Sequence, residues 1–191
     1  MAVLPGACGC GVTVLLTGLP SAGKSTIAGV VAERLRGDGY RVEVLDGDVM
    51  RATLSADLGF TPADRHENLR RIGVMAEVLA RNGVIVLMPV IAPYAGDRDD
   101  LRRQHAKSGT AFLEVHVATP VEVCAARDVK GLYARQRAGD LKGLSGVDDP
   151  YEPPVEPDLT IPAGRQSADE SGALLLDLLV AKRFVVRETA L

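Results

Sequence analysis

The stretch VTVLLTGLPSAGKST, Val12–Thr26, passes from an unbroken apolar run into a glycine-bearing turn and then to a lysine followed by two hydroxyl residues. A continuous apolar run is expected of a strand covered on both faces, as in a parallel sheet. Downstream, STIAGVVAERLRGDG places Ile27, Val30, Val31 and Leu35 at helical spacing, and the Gly37 to Gly39 segment ends the helix. RVEVLD then reads as a second strand. Strand, helix and strand in fifty residues make a βαβ unit, which decides the fold class.

Within that unit, GLPSAGKST (Gly18, Leu19, Pro20, Ser21, Ala22, Gly23, Lys24, Ser25, Thr26) has the spacing G-x-x-x-x-G-K-[ST], between an apolar strand and a helix as the chemistry requires. Successive backbone N–H groups of such a loop surround phosphate oxygens, helped by the helix N-terminus. Lys24 is expected to reach the terminal phosphates and Ser25 to ligate Mg²⁺, so a nucleoside triphosphate with magnesium is the predicted ligand.

Strands and helices keep alternating along the rest of the chain. TPADRHENLRRIGVMAEVLARNG opens with Thr61 as a cap and Pro62 at the first helical position, and Asn82-Gly83 ends it. VIVLMPVIAP is a third buried strand, DRDDLRRQHAKSG a charged helix, FLEVHVAT a fourth strand, and PVEVCAARD the start of another helix. Asp128 to Pro157 loses periodicity and collects Gly, Pro, Lys, Arg and Asp, the signature of a functional lid or a disordered stretch. A short LTIP strand and the helix SADESGALLLDLLVAKRF close the chain. The expected architecture is α/β: a three-layer fold like that of P-loop NTPases, with a mainly parallel sheet flanked by helices and a lid at about 128–157. One domain is expected over 1–191, with 1–11 a flexible tail.

Bulk properties narrow the partners. With 191 residues, 47% hydrophobic and 25% charged, the chain has the composition of a soluble globular domain. A net charge of −3 gives no general attraction to nucleic acid or anionic lipid, so an anionic ligand must be held by local groups. No apolar run reaches the roughly 18 residues of a membrane span, and MAVLPGACGCG lacks the features of a signal peptide, which predicts a cytoplasmic protein. Cys8, Cys10 and Cys124 cannot all pair, the spacing of Cys8 and Cys10 matches no common zinc pattern, and the three read as structural or incidental.

In open parallel sheets the loops at the strand C-termini line the ligand crevice. Here they carry LDGDVMR, LGFTPADRHENLRR and PVIAPYAGDR. Asp46 and Asp48 could order magnesium-bound water or accept a hydroxyl proton; two Asp around a Gly also make a turn and a helix cap. Arg51, Arg65 and Arg70 could neutralise an anionic substrate, or form a solvated face. Phe60 could offer a flat surface to a base, or belong to the core. His66, His105 and His116 are scattered and are assigned no catalytic role.

Six ordered blocks resemble the adenylylsulfate kinase (APS kinase) family: GLPSAGKST, LDGDVMR, LGFTPADRHENLRRIG, VIAPY, ARDVKGLYARQRAGDLKGLSGVDDPYE and PDLTI, spanning about Gly11 to Ile161. The resemblance implies transfer of the γ-phosphate of MgATP to the 3′-hydroxyl of adenosine 5′-phosphosulfate (APS), in sulfate assimilation. It implies that Phe60 stacks on the acceptor's adenine, that Arg51, Arg65 and Asn68 hold its phosphosulfate side, and that backbone around Ile91 contributes. Asp48 is implied beside the acceptor hydroxyl and Asp46 nearer the magnesium water shell. Arg127 and the Lys130 to Asp149 lid are implied to cover the nucleotides, with Lys142 in the lid's acceptor contact. Two positions depart from the family. Ala92 stands where many members have Ser, and Leu144 replaces the second aromatic of an adenine sandwich. These departures keep open a related kinase for another hydroxyl acceptor; a nucleotide-binding regulatory subunit that joins an ATP sulfurylase is the alternative from another class. A homodimer is expected by the same resemblance.

Overall fold

The computed structural model describes residues 11–186. Five strands form one sheet in the order β2 (Val42–Val44), β3 (Ile85–Pro89), β1 (Val12–Thr17), β4 (Ala111–Val117), β5 (Leu159–Ile161), and every pairing is parallel. The helices are α1 (Lys24–Gly37), α2 (Gly47–Thr53), α3 (Pro62–Arg81), α4 (Ala95–Lys107), α5 (Val121–Arg127), α6 (Leu132–Arg137) and α7 (Ala168–Ala181).

Strand alternation divides the core in two. On β1, Val12, Val14 and Leu16 point to one face, where Ile27, Val31 and Leu35 of α1 and Leu175 and Leu179 of α7 cover them. Leu15 points to the other face and meets Leu69, Ile72 and Ala76 of α3 and Leu101 of α4. β3 splits likewise, with Ile85 and Leu87 in the first cluster and Val86 and Met88 in the second. Each fully buried aliphatic side chain contributes about 1.5–3 kcal/mol, so this two-sided burial is the main reason for the layer order. The α4 face also holds His105, fully buried, with Nε2 2.9 Å from Thr13 Oγ1 and Nδ1 2.9 Å from the Leu101 carbonyl. Its burial lowers its pKa and makes it a neutral core residue.

Three local features differ from the expectations. Residues 47–53 form a separate helix, α2, whose seven residues include no buried one, so apolar spacing could not announce it. The third strand stops at Pro89, and the chain bends at Ala92, where φ is 45°. Within 128–157, α6 and a set of local bonds replace the aperiodic stretch. Asp128 accepts from the amides of Tyr133 and Ala134, and Asp148 from those of Gly143 and Leu144. These carboxylates cap the turns that composition alone made look irregular. The expected flexible tail and Cys8 and Cys10 fall on residues 1–10, outside the described residues; Gly11, counted in that tail, is buried. Cys124 is a free, fully buried thiol. Among the described residues no helix is long and apolar enough to cross a membrane.

Candidate active site

A cleft of about 650 Å³ opens at the C-terminal ends of the strands. The phosphate loop forms one wall. Gly18, at φ 154°, packs so closely under β4 that a Cβ would lie 2.6 Å from the Val117 carbonyl oxygen. Gly23, at φ 106°, is the N-cap of α1 and leaves that terminus without a side-chain cap. By contrast, α3 and α7 are closed by capping boxes from Thr61 with Asp64 and Ser167 with Glu170. Uncapped N–H groups at the end of a 14-residue helix are a ready anion site. Lys24 Nζ donates to the carbonyls of Gly18 (2.9 Å) and Leu19 (2.8 Å). Its burial lowers its pKa to about 8, against the opposing pull of Cys124, Asp48 and Asp46.

The loop is braced from the α5–α6 side. Thr119 Oγ1 donates to the Ala22 carbonyl at 2.8 Å, Tyr133 Oη to the Pro20 carbonyl at 3.1 Å, and Arg127 to the carbonyls of Ala22 (3.3 Å) and Ala163 (2.9 Å).

The two aspartates differ in what they can still do. Asp46 is the N-cap of α2: one carboxylate oxygen accepts from the Asp48 amide at 2.9 Å and the other from Ser25 Oγ at 2.6 Å. Both of its oxygens are thus engaged, and it is not part of the cleft lining. Asp48 lines the cleft, is exposed, and is paired with Lys130 from the 128–157 segment.

Arg51, Phe60, Arg65 and Asn68 line the same cleft, with Ile91 and Ala92. Phe60 is 67% exposed, and the Arg51 guanidinium lies 4.6 Å from its ring centroid. The core reading of Phe60 is therefore removed. Burial and the neighbouring Arg65 charge lower the Arg51 pKa, the cost of gathering two cations in one place. Arg65 donates to the Phe60 carbonyl (3.0 Å), Ser145 Oγ (3.0 Å) and the Gly143 carbonyl (2.6 Å), so it ties α3 to the 128–157 segment. Asn68 is 4% exposed and its Oδ1 has no partner. Such an orphan in a cleft wall is a place for a ligand donor.

Six expected positions are outside the cleft lining: Gly18, Leu19 and Asp46, which support the phosphate loop from beside it, and Arg70, Lys142 and Leu144. Arg70 turns to Glu67 on its own helix, at 2.7 Å. Lys142 is exposed and absent from the lining. Leu144 is 5% exposed and packs in the core cluster of α1 and α7, because Asp148 holds its backbone in a turn that points the side chain inward. Conversely, Gln166, Ser167, Ala168 and Ser171 line the cleft without having been singled out, and their capping pattern gave no hint of it. Arg98 belongs to the charged helix DRDDLRRQHAKSG, yet it is 2% exposed. The signal lay elsewhere, in Glu114 within the apolar strand FLEVHV, since a buried carboxylate needs a partner.

A phosphate-binding wall facing a basic and aromatic wall can hold a phosphate donor and a second ligand together, as phosphotransfer between small molecules needs. The chain is a P-loop kinase. Residues 10–162 match the family model described as adenylylsulphate kinase. A probable adenylyl-sulfate kinase of Synechocystis sp. is 48% identical over 175 residues, covering 92% of this chain and 97% of that protein. The Mycobacterium tuberculosis APS kinase, solved in complex with AMPPNP and APS, is 46% identical with a TM-score of 0.87 over 90% of this chain and 98% of the other. A hexameric APS kinase from Thiobacillus denitrificans is 34% identical with a TM-score of 0.70, covering 93% of this chain and 30% of that one. The chain belongs to the adenylylsulfate kinase family of ATP-dependent kinases.

Proposed function

We propose that the chain transfers the γ-phosphate of ATP to the 3′-hydroxyl of adenosine 5′-phosphosulfate, forming 3′-phosphoadenosine 5′-phosphosulfate in sulfate assimilation. The observation that carries this reading is the single cleft that joins the Lys24 loop to Phe60, Arg51, Arg65 and Asn68. An exposed ring offers a base its face, two guanidiniums offer donors to the oxyanions beyond it, and the unpartnered Asn68 Oδ1 can accept from a ligand donor.

Phosphoryl transfer asks the protein mainly to position two oxygens in line and to balance charge. The amides of Ser21 to Thr26 and the Lys24 ammonium hold the donor phosphates. Asp48, which lines the cleft, orients the acceptor hydroxyl and takes its proton; Asp46, outside the lining, fixes α2 and Ser25 and keeps lone pairs for magnesium-bound water. For Asp48 to take that proton, Lys130 must release it and turn to substrate phosphate, so the pair links lid position to proton transfer. Residues 128–157, with Arg127, then act as a lid that excludes water.

The donor set also fits magnesium. Ser25 Oγ and the Asp46 carboxylate are adjacent hard oxygens beside the phosphate loop, and magnesium keeps several waters while bonding substrate phosphate. Ser25 would hold the ion directly and Asp46 through water, and when bound it would supply charge neutralisation at the β- and γ-phosphates. We further place the chain in the cytoplasm as a single-domain homodimer, with association to an ATP sulfurylase as a route for its acceptor.

An assay with ATP, Mg²⁺ and adenosine 5′-phosphosulfate, with the product identified by mass, tests this function. Formation of the 3′-phosphorylated product is expected. Turnover with another small hydroxyl compound but not with adenosine 5′-phosphosulfate would sink it.

A further inference from the structure

β3 ends at Pro89, and the residues that follow it line the cleft. Two successive carbonyls there are bonded from inside the protein. Thr17 Oγ1 donates to the Ile91 oxygen at 2.6 Å, and Arg98 Nη1 donates to the Ala92 oxygen at 2.8 Å. In extended chain successive carbonyls point to opposite sides, so bonding both from the interior demands a bend. Ala92 supplies it at φ 45°, a conformation that an L side chain rarely adopts. Nothing local favours alanine there; such a conformation persists only where its surroundings over-determine it.

Arg98 is the centre of those surroundings. Its guanidinium is buried and spends its donors on three segments: Nε on Glu114 Oε1 of β4 at 2.7 Å, Nη1 on Ala92, and Nη2 on the Glu152 carbonyl at 2.8 Å. Glu152 itself holds the same turn, its amide donating to the Pro93 carbonyl at 2.8 Å and its carboxylate accepting from the Ala95 amide at 2.7 Å. Tyr151 Oη lies 3.1 Å from Thr17 Oγ1. Glu114 also receives Arg102 at 3.0 Å, so its charge is met without Arg98. What Arg98 alone adds is the planar fork that fixes the turn and the exit of the 128–157 segment together, a geometry that lysine cannot reproduce.

We infer that Arg98 is a positioning residue for the acceptor substrate: it sets the Ile91–Ala92 turn against which the acceptor lies and links that turn to the exit of the proposed lid. The inference rests on the cleft being the site for ATP and adenosine 5′-phosphosulfate. Arg98→Ala would open a buried space and leave the Ala92 and Glu152 carbonyls without their donor, which endangers folding, so Arg98→Lys, which keeps the charge, is the variant of choice. The expected result is a KM for adenosine 5′-phosphosulfate raised about tenfold, since small misplacements of substrate-positioning groups cost up to about a hundredfold. The KM for ATP is expected to stay within about twofold, the phosphate loop being held by other bonds. Amide exchange is expected to quicken at residues 91–95 and 151–152 and to stay unchanged in β1 and α1. Adding Ala92→Gly to the lysine variant should restore part of the acceptor KM, because glycine reaches that φ without strain. An unchanged acceptor KM, a parallel rise of both KM values, or exchange that quickens throughout the sheet would overturn the inference. If the wild-type chain fails to phosphorylate adenosine 5′-phosphosulfate, the acceptor reading falls, and the exchange comparison still decides whether Arg98 holds the turn.

Discussion

The two walls of the cleft are built by different means. The donor wall is one continuous stretch, Gly18–Thr26, whose shape is set by backbone geometry at Gly18 and Gly23 and by the start of α1. The acceptor wall is assembled from α2, the loop before α3, the Ile91–Ala92 turn and the 128–157 segment, held by side chains such as Arg65 and Arg98 across long sequence separations. The donor wall thus takes its shape locally and is braced from outside by Thr119, Arg127 and Tyr133, whereas the proposed acceptor wall exists only through its ties. Asp48→Asn probes the junction between them and should have the largest effect, a fall in turnover of about 10²–10⁴-fold with ATP affinity kept. Near-normal turnover would remove Asp48 as proton acceptor and break the division of labour with Asp46.

Phe60→Ala should act on the acceptor wall alone. Base stacking on an aromatic is worth about 1–3 kcal/mol, so the KM for adenosine 5′-phosphosulfate should rise by about 5- to 150-fold, with thermal stability unchanged because the ring is 67% exposed. Equal losses in ATP and acceptor binding would mean that the walls are not separate. The donor wall is open to a pH test. Lys24 has a pKa of about 8 in the folded chain, lowered by burial from 10.5, so its charge is lost as pH rises through 8. If only the charged form receives ATP, kcat/KM for ATP should fall about tenfold from pH 7 to 9, while kcat at saturating ATP falls less because bound phosphate holds the proton. The stability effect has the opposite sign: between about 8 and 10.5 the unfolded chain binds more protons, so Lys24's contribution to stability rises with pH. A flat kcat/KM over this range would show that Lys24 keeps its charge in the free protein.

This difference in construction also explains what could be read before any coordinates. The layer order followed from apolar runs in VTVLLT and IVLMP and from helical spacing, because both report burial directly. The phosphate loop was legible because its mechanism is local. Asp46 was legible only as one of two alternatives, and the coordinates give it the cap as well as the bond to Ser25. Arg98 was hidden in a charged helix, and its meaning depends on Glu114, sixteen residues away, and Glu152, fifty-four away. Leu144 shows the reverse error of transfer: a position implied at the acceptor packs in the core here, where Asp148 turns it inward.

The smallest expected effect tests whether the acceptor wall depends on its ties or merely on the helix that carries it. Thr61 caps α3 with Asp64, accepting from the Asp64 amide at 3.2 Å while the Asp64 carboxylate accepts from the Thr61 amide at 3.1 Å. Thr61→Ala removes half of this box, which costs about 1 kcal/mol. For a chain of this size that corresponds to a fall in Tm of about 2–4 °C. Arg65 lies in the first turn of α3, but its head group is fixed by Phe60, Gly143 and Ser145, bonds that Thr61 does not share. The KM for adenosine 5′-phosphosulfate should therefore stay within about twofold, because the variant keeps the Thr61 carbonyl that accepts from the Arg65 amide at 2.9 Å and all three bonds of the Arg65 head group. A large rise in that KM at an unchanged Tm would place the control of Arg65 in the helix terminus rather than in its bonds to the 128–157 segment.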